Sequence, residues 1–594
     1  MAASGMTNDV AADSKRLCYT NVLKLASAIH AMSATECHPR DVRSQVTSAQ
    51  LDEIEKALAA MPTALQYVRN ALSPINAIPI ELLANIFKMV VEPAQSFPHS
   101  YTTNPDPIDG MHVSQVCRHW RSVAFAFPDL WSTVDTARPM SVNAMLHRAR
   151  GAPLKVIMRD RVSDDCVVPC LKDTGVLMDI VDESHRIEEL HVEPKFAYGS
   201  LLIERFNQPA PNLRALTINH VQGPISNSFL PKLFDGCTPR LERLTMGGFT
   251  YWRGNSFSNL THLCLHDHAP ENRRPLSSLL QLLESCPYLD ELALVAADLN
   301  LEVERDQSLF NTVLQPAVLP CLRTLDIGHS FSPQATARLL SHLILPPHTA
   351  INIWAPASAH FFGKINGARL ANLIPDDIIK LGPLRTLHAV RILDHKHAER
   401  LAGVKRLGDK TMDVLSVHDG VLHLISNFWS QDVLEGLVKK LHAQDIREIT
   451  LAVDAGEFLS SDAWMRVLKR TDGLTKLTVL PKCSGALLAL RVPGICPRLS
   501  ELTVQEERHC TGILLESVVS QRADEERPLD RLRVLEGIST SPGSPQLDDY
   551  TERHLRECVR KLEYKPTTFD EKELAPTAWP SDAYRWNLTA RSGR

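Results

Sequence analysis

The chain has 594 residues, of which 44% are hydrophobic and 22% charged, a balance typical of folded globular proteins. Its 64 basic and 69 acidic residues leave a net charge of −5, which is small for this length and gives no reason to expect binding to nucleic acid or to a membrane surface. No run of 18 or more apolar residues predicts a membrane span, and no basic start followed by an apolar stretch predicts a secretory signal.

The chain begins with a segment, residues 1–46, that is rich in Ala, Ser, Thr and Asp. We expect it to be mobile apart from one weak helix around residues 15–32. Residues 47–73 then carry apolar residues at alternating steps of three and four, a pattern typical of an amphipathic helix. This stripe consists of Leu51, Ile54, Leu58, Met61, Leu65, Val68 and Leu72. Pro62 is expected to kink or break the helix. The two halves either form a coiled-coil dimer or pack back on the next segment as lead-in helices.

Residues 74–134 contain three separated apolar blocks. They read Ile78-Pro79-Ile80-Glu81-Leu82-Leu83-Ala84-Asn85-Ile86-Phe87, then Val113-Ser114-Gln115-Val116-Cys117-Arg118-His119-Trp120-Arg121, then Pro128-Asp129-Leu130-Trp131. Pro79 suits the first position of a helix, where its missing N–H has no intrahelical partner to lose. Three helices this short bury little in a core of their own. About half a dozen apolar side chains would therefore stay on the surface, a patch that soluble monomers rarely leave uncovered.

The three blocks, in this order, resemble an F-box, in the F-box-like form common in large fungal families. Ile78-Pro79 stands where Leu-Pro is usual, and a polar stretch over residues 93–109 lengthens the connection between the first two helices. The resemblance implies that this segment docks onto a Skp-type linker protein, which joins it to a cullin-based ubiquitin ligase. The residues expected to carry docking, by direct contact or by holding the helices together, are Ile78, Pro79, Leu82, Leu83, Ile86, Phe87, Val116, Cys117 and Trp120. The alternative is a helical hairpin that caps the next domain.

Over residues 135–537 an apolar phrase recurs, in which one apolar residue is followed by others three and five positions later. Copies begin at Ile187, Leu213, Leu241, Leu260, Leu289, Leu322, Leu384, Ile446, Leu474, Leu499 and Leu532. Most starts lie 19 to 33 residues apart, and each of two 62-residue gaps is expected to hold a degenerate copy, with Ile351-Asn352-Ile353 in the first. Helical segments such as residues 276–285 separate the copies. The period is typical of leucine-rich repeats. The predicted fold class is therefore α/β, an N-terminal all-helical F-box-like domain followed by an irregular leucine-rich-repeat solenoid.

Residues beside the inward positions of each phrase should form the concave surface of the array. They are Glu189, His191, Ala215, Thr217, Arg243, Thr245, His262, Glu291, Thr324, Asp326, His388, Thr450, Lys476, Thr478, Glu501 and Thr503. Residues 538–594 are expected to supply a capping helix around residues 550–561 and then a loose tail.

The sequence contains no phosphate-binding loop, metalloprotease motif, nucleophile elbow or dinucleotide fingerprint that would indicate catalysis. Cys166 and Cys170 have a metal-like spacing, but no second pair lies at zinc distance. The 13 cysteines are odd in number and scattered, which fits a reduced cytoplasmic or nuclear chain. Three of them, Cys237, Cys286 and Cys496, precede strands and are interpreted as small core residues. The segment from His266 to His268 is interpreted as a solvated turn, and Glu188-Glu189 as surface residues.

The sequence therefore predicts no enzymatic activity, no metal and no cofactor. It favours a substrate-recognition adaptor of an SCF-type ubiquitin ligase, located in the cytoplasm or nucleus. Its expected partners are a Skp-type linker, through it a cullin, and an unknown protein substrate on the repeat array. The alternative is a non-ligase interaction scaffold whose F-box-like helices pack internally.

Overall fold

A computed structural model describes most of the central part of the chain. The described residues are 47–91, 110–159, 161–163, 166–168, 174–193, 203–219, 229–249, 252, 254–266, 274–297, 299–300, 314–328, 333–356, 368–394, 412–426, 432–453, 459–481, 483–505, 510–535 and 549–564, together with Lys24, Ser27 and His30. The expected mobile start and loose tail lie outside these residues, apart from those three helical positions. The chain divides into two compact units, Met1–Phe87 with Met111–Ala126, and Lys88–Gly110 with Phe127–Arg594.

The first unit is helical. Its elements are helix α1 (Ser48–Ala71), a 3-10 turn (Pro74–Ala77), α2 (Ile80–Val91), α3 (Gly110–Gln115) and α4 (Arg118–Ala126). α1 continues as one helix through Pro62, so the predicted break is wrong, while the predicted kink stays a prediction. Pro62 lacks the N–H that would donate to the carbonyl four residues earlier, and the helix nevertheless continues beyond it.

The second unit alternates strands and helices. Its strands are β1 (Thr133–Asp135), β2 (Leu154–Arg159), β3 (Arg161–Ser163), β4 (Cys166–Val168), β5 (Ile187–Glu193), β6 (Ala215–Asn219), β7 (Arg243–Gly247), β8 (His262–His266), β9 (Arg274–Pro275), β10 (Glu291–Val295), β11 (Leu299–Asn300), β12 (Ala317–Val318), β13 (Thr324–Gly328), β14 (Leu343–Ile344), β15 (Ala350–Pro356), β16 (Ala389–Leu393), β17 (Met412–His418), β18 (Val421–Ile425), β19 (Glu448–Val453), β20 (Lys476–Pro481), β21 (Glu501–Gln505), β22 (Arg531–Leu535) and β23 (Leu562–Tyr564). Its helices are α5 (Pro139–Ala149), α6 (Thr174–Asp182), α7 (Leu276–Glu284), α8 (Pro333–Ser341), α9 (Ala368–Leu373), α10 (Gly382–Arg385), α11 (Asp432–Lys440), α12 (Ser461–Leu468), α13 (Ser484–Leu490), α14 (Cys510–Asp524) and α15 (Asp549–Cys558).

Seventeen of the described strands form one open sheet. The pairings run β1-β2-β5-β6-β7-β8-β10-β13-β15-β17-β18-β16-β19-β20-β21-β22-β23, and every pair is parallel except those that involve β17. Except around β16 to β18, successive strands of this sheet follow chain order and pair in parallel.

The recurring phrase sets the register of this sheet. Leu190, Leu216 and Leu244 lie opposite one another on consecutive strands and are buried. Because side chains alternate between the two faces of a strand, the residues two positions later are also buried. Ile351 pairs with Leu325, so the copy expected in the first long gap is confirmed. The expected helix over residues 276–285 is confirmed as α7.

Two predicted copies of the phrase differ by three residues from their positions in the structure. Val390 pairs with Ile449, and Leu532 pairs with Leu502, so these copies begin at Leu387 and Leu529 rather than at Leu384 and Leu532. Leu384 instead lies in the short helix α10, which begins beside Pro383. His388 consequently precedes β16, and the position expected for it on the sheet face belongs to Arg391.

The second long gap holds a β-hairpin rather than one degenerate copy. β17 and β18 are antiparallel and joined by Asp419 and Gly420, which have φ values of 49° and 75°. Two consecutive positive φ angles are the signature of a tight hairpin turn. A Cβ on Gly420 would lie 2.5 Å from the His388 ring, so glycine is required there. The hairpin inserts between β15 and β16, which makes β17 the antiparallel member of the sheet.

The sheet also extends beyond the phrases that the sequence revealed. β1 and β2 precede the first copy, and Val156 of β2 pairs with Leu190. After the expected capping helix, found as α15, β23 pairs with β22.

Candidate protein-binding site

Helix α2 has a buried face and an exposed apolar face. Leu83 and Phe87 are buried. Leu82 and Ile86 expose 53% and 39% of their surface, and Met89 is exposed as well. At 3.6 residues per turn these three exposed side chains recur on one side of the helix. An exposed apolar stripe of this kind often marks an interaction site.

Trp120 of α4 holds the helices of this unit together. Its ring lies 4.7 Å from that of Phe87, centroid to centroid. Its indole N–H donates to Oδ1 of Asn76 at 2.6 Å, and the Asn76 amide donates to the backbone carbonyl of Asn70 at 2.6 Å. The contacts tie α4 to α2, to the 3-10 turn and to the end of α1.

The junction between α3 and α4 is fixed by hydrogen bonds between side chains and the backbone. Cys117 Sγ accepts a hydrogen bond from the Trp120 backbone N–H at 3.4 Å and so caps the start of α4. Arg121 Nε donates to the Ser114 carbonyl at 3.0 Å. Val116, between them, is exposed.

The residues predicted to carry docking therefore divide into three groups. The exposed ones are Pro79, Leu82, Ile86 and Val116; the partly exposed ones are Ile78, Cys117 and Trp120; the buried ones are Leu83 and Phe87. The first group can touch a partner, and the last can act only by supporting the helices. Sequence reasoning missed the role of Asn76 in positioning Trp120, and it missed exposed Met89 and Phe125. Helical spacing from Leu82 would have indicated Met89.

The third apolar block belongs to the second unit and is structural. Leu130 and Trp131 are buried, and the Arg148 guanidinium of α5 lies 4.5 Å from the centroid of the Trp131 ring. A cation over an aromatic face is favourable. This block is therefore part of a core.

Much of the predicted concave surface is buried. The predicted surface residue that lies between the last two apolar residues of each phrase belongs to what we call the middle row. The predicted members of this row that are buried are His191, Thr217, Asp326, Thr450, Thr478 and Thr503, joined by Ser416 and His423 of the hairpin. Within it, the Ser416 hydroxyl donates to Asn352 Oδ1 at 2.8 Å and the Asn352 amide donates to Asp326 Oδ1 at 2.9 Å. Polar groups engaged with each other at this depth offer little to a protein partner.

A second row consists of the residues two positions before the middle row. It is partly exposed, and several of its charged side chains form ion pairs with one another or with Lys155. Glu189 lies 3.1 Å from Lys155 Nζ and 3.0 Å from Arg243 Nη2. Burial raises the pKa of this carboxyl, but the His191 hydrogen bond and the Lys155 charge outweigh burial and leave the pKa at about 2. Glu189 is thus an ion-pair centre rather than an ordinary surface residue. Further along, Glu448 lies 3.7 Å from Lys476.

Two buried ionisable side chains lie at the inserted hairpin. Burial raises the pKa of Asp413 to about 6, against a hydrogen bond from Ser426 that lowers it. Burial, together with the charges of Arg391 and His418, lowers the pKa of His423 to about 3. Within the described part of the chain, Asp413 Oδ1 and His423 Nδ1 have no hydrogen-bond partner.

The cysteines and the histidine singled out from the sequence differ in their exposure. Cys286 and Cys496 are buried as expected, and burial raises the pKa of Cys496 to about 12, but Cys237 is exposed. His266 is buried and lies 2.9 Å from Asn219 Oδ1, so the expected solvated turn is wrong at that residue. Cys166 lies on β4, and Cys170 lies outside the described residues.

The described residues contain no cluster of His, Cys, Asp and Glu suited to a metal ion. Of the helices in these same ranges, none has the length and apolar character needed to cross a bilayer.

The geometry of the first unit defines a class, a small helical interaction module with an exposed apolar face. Residues 75–137 match the F-box-like family, so the chain contains an F-box-like domain there. F-box domains generally bind Skp-type linkers, and proteins with F-box-like domains are typically non-enzymatic adaptors. This domain points to a role in protein interaction or as a ubiquitin ligase adaptor. Among curated proteins no significant match to the chain is found.

Proposed function

We propose that this protein is the substrate-recognition adaptor of an SCF-type ubiquitin ligase. The F-box-like helices bind a Skp-type linker and through it a cullin, and the strand and helix array, a leucine-rich-repeat solenoid, binds a protein substrate. The chain needs no cofactor and performs no catalysis of its own, since other subunits transfer ubiquitin. It works in the cytoplasm or nucleus, where that machinery resides, and the F-box-like form favours a fungal origin.

The exposed apolar side of α2 is the observation that carries this proposal. Leu82 and Ile86 lie on the surface of a domain whose family generally binds a linker protein. Each of these side chains is already about half covered, so burying the remainder against a partner would contribute about 1 kcal/mol. Val116 adds a further exposed apolar side chain in the same unit.

We assign substrate binding to the helices of the array because they carry exposed apolar side chains. The polar side chains of the middle row are buried and cannot reach a partner. Tyr550 of α15 and Ile513 of α14 are exposed large apolar residues. Exposed aromatic residues are frequent anchors of protein interfaces. We propose on this basis that the substrate is a protein.

The decisive test is co-purification of a Skp-type linker with the full chain that carries Leu82→Asp and Ile86→Asp. Both residues are exposed, so the fold should survive and circular dichroism should stay unchanged. The expected result is loss of the linker, with affinity reduced at least about tenfold, because two charges would enter an apolar interface. Leu83→Asp is unsuitable, since Leu83 is buried and its substitution would unfold the helices.

Ile513→Asp, an equally drastic change at an exposed apolar residue of α14, is the matched control and should leave linker binding intact. Undiminished binding by the double variant would reject the assignment of this face. Recovery from cells of other proteins without linker or cullin would instead favour the non-ligase scaffold.

A further inference from the structure

Four residues of the apolar stripe of α1 are exposed. Leu65 and Leu72 expose 59% and 80% of their surface, and Leu58 and Val68 are exposed as well. In sequence these residues alternate steps of three and four, which is the a/d spacing of a two-stranded coiled coil. Soluble proteins rarely leave such a stripe uncovered.

We propose that two copies of this chain pair through α1 as an antiparallel coiled coil centred near Thr63. In that arrangement Leu58 of one copy packs opposite Val68 of the second copy, and the reverse pair forms at the other end. The overlap from residue 54 to residue 72 is about 28 Å long at 1.5 Å per residue. Within this overlap the second copy covers the exposed side chains of Leu58, Leu65, Val68 and Leu72.

Charge complementarity selects the second copy as the occupant and fixes its direction. With Leu58 and Leu65 at a positions, Ile54 and Val68 occupy d positions of the heptad. Glu55 and Arg69 directly follow these two residues, so they lie on the same flank of the seam, and both side chains are exposed. The antiparallel arrangement that aligns the apolar layers also brings Glu55 opposite Arg69 of the second copy. Two-fold symmetry repeats this pair, so each dimer contains two such ion pairs.

A parallel dimer would make different flanking pairs. Position 55 would face position 50, and position 69 would face position 64, which hold Gln and Ala in this sequence. No ion pair would form between the flanks of parallel helices. The charges therefore distinguish the two directions.

The experiment measures the mass of the full chain by light scattering and sedimentation over a range of micromolar concentrations. The expected mass rises from 66.2 kDa toward twice that value as concentration increases. Glu55→Arg and Arg69→Glu should each weaken the dimer about tenfold, because attraction becomes repulsion at both ends. The double variant Glu55→Arg with Arg69→Glu should return to wild-type affinity, since the pairs form again with exchanged signs.

Glu53→Arg is the matched control. It makes the same charge change two residues away on the outer side of α1, where it faces solvent, and it should leave the dimer unchanged. A monomer at every concentration would overturn the proposal. A dimer insensitive to both single reversals, or one that the double variant fails to restore, would overturn the antiparallel pairing. Dimerisation and linker binding are read out separately, because α1 contributes no residue to the candidate docking face on α2.

Discussion

The indole N–H of Trp120 donates a 2.6 Å hydrogen bond to the side chain of Asn76, a residue that lies 44 positions earlier. The same amide side chain reaches the backbone carbonyl of Asn70 at the end of α1. One short polar side chain therefore connects three helices of the F-box-like unit. Because Trp120 is also in contact with Phe87, the bond sets the position of the ring that supports α2.

Replacing Asn76 with Ala should loosen this unit. The partly buried indole N–H would lose its acceptor, at a cost of about 1–2 kcal/mol. Amides of α4 (residues 118–126) should then exchange hydrogen faster, as measured by mass spectrometry, while those of α12 to α14 keep their protection. Asn85→Ala, an exposed Asn on α2, should have little effect. Unchanged exchange in α4 after Asn76→Ala would show that the hydrogen bond is not a stabilising connection.

Glu189→Gln should destabilise the sheet at neutral pH. Folding lowers the pKa of this carboxyl from 4.5 to about 2, so its contribution is fully present above pH 4.5 and is lost as pH falls toward 2. A change of this size corresponds to a contribution on the order of 3 kcal/mol. The variant should show a lower melting temperature at pH 7 and a shallower decline between pH 4.5 and 3, measured by circular dichroism. The neighbouring Glu188→Gln, at a more exposed carboxyl, is the control. Equal effects of the two substitutions would contradict the special role of Glu189.

Asp413→Asn should act in the opposite direction. Folding raises the pKa of Asp413 from 3.8 to about 6, so the native state binds the extra proton and stability falls as pH rises through that range. An amide carries no charge to bury, so the variant should gain up to about 3 kcal/mol above pH 6 and lose this part of the pH dependence. Melting temperatures at pH 4 and pH 7 measure both effects. Asp179→Asn, on the exposed side of α6, should change neither value. A lower melting temperature for Asp413→Asn at pH 7 would mean that the fold depends on the charged carboxylate.

The strands of the array could be predicted because burial alone determines them. Leu190, Leu216 and Leu244 lie opposite one another on consecutive strands. Only one register buries the alternating apolar residues of the phrase, because a shift by one residue would turn all of them to the other face of the sheet. Prediction from the phrase fails where an apolar residue three positions away gives a second start with the same spacing. Leu384 and Leu387 both fit the spacing, and only Pro383, by starting α10, excludes the first.

The inserted hairpin shows what periodicity misses. Asp419-Gly420 between alternating apolar residues is a strong local signal for a hairpin. Nevertheless its place in the sheet, between β15 and β16, depends on pairing with a strand whose residues lie 56 to 66 positions earlier in the chain. Local sequence does not specify such a partner.

The candidate docking site illustrates the same division. The sequence by itself determined that α2 is apolar on most of its circumference and that the F-box-like blocks occur in order. It could not separate Leu82 from Leu83, because both fit helical spacing equally well. Only tertiary packing, which buries Leu83, places Phe87 against Trp120 and leaves Leu82 and Ile86 exposed, decided which of them a partner can reach. Intrinsic hydrophobicity is a property of one residue, whereas exposure depends on which distant residues the folded chain brings to cover it.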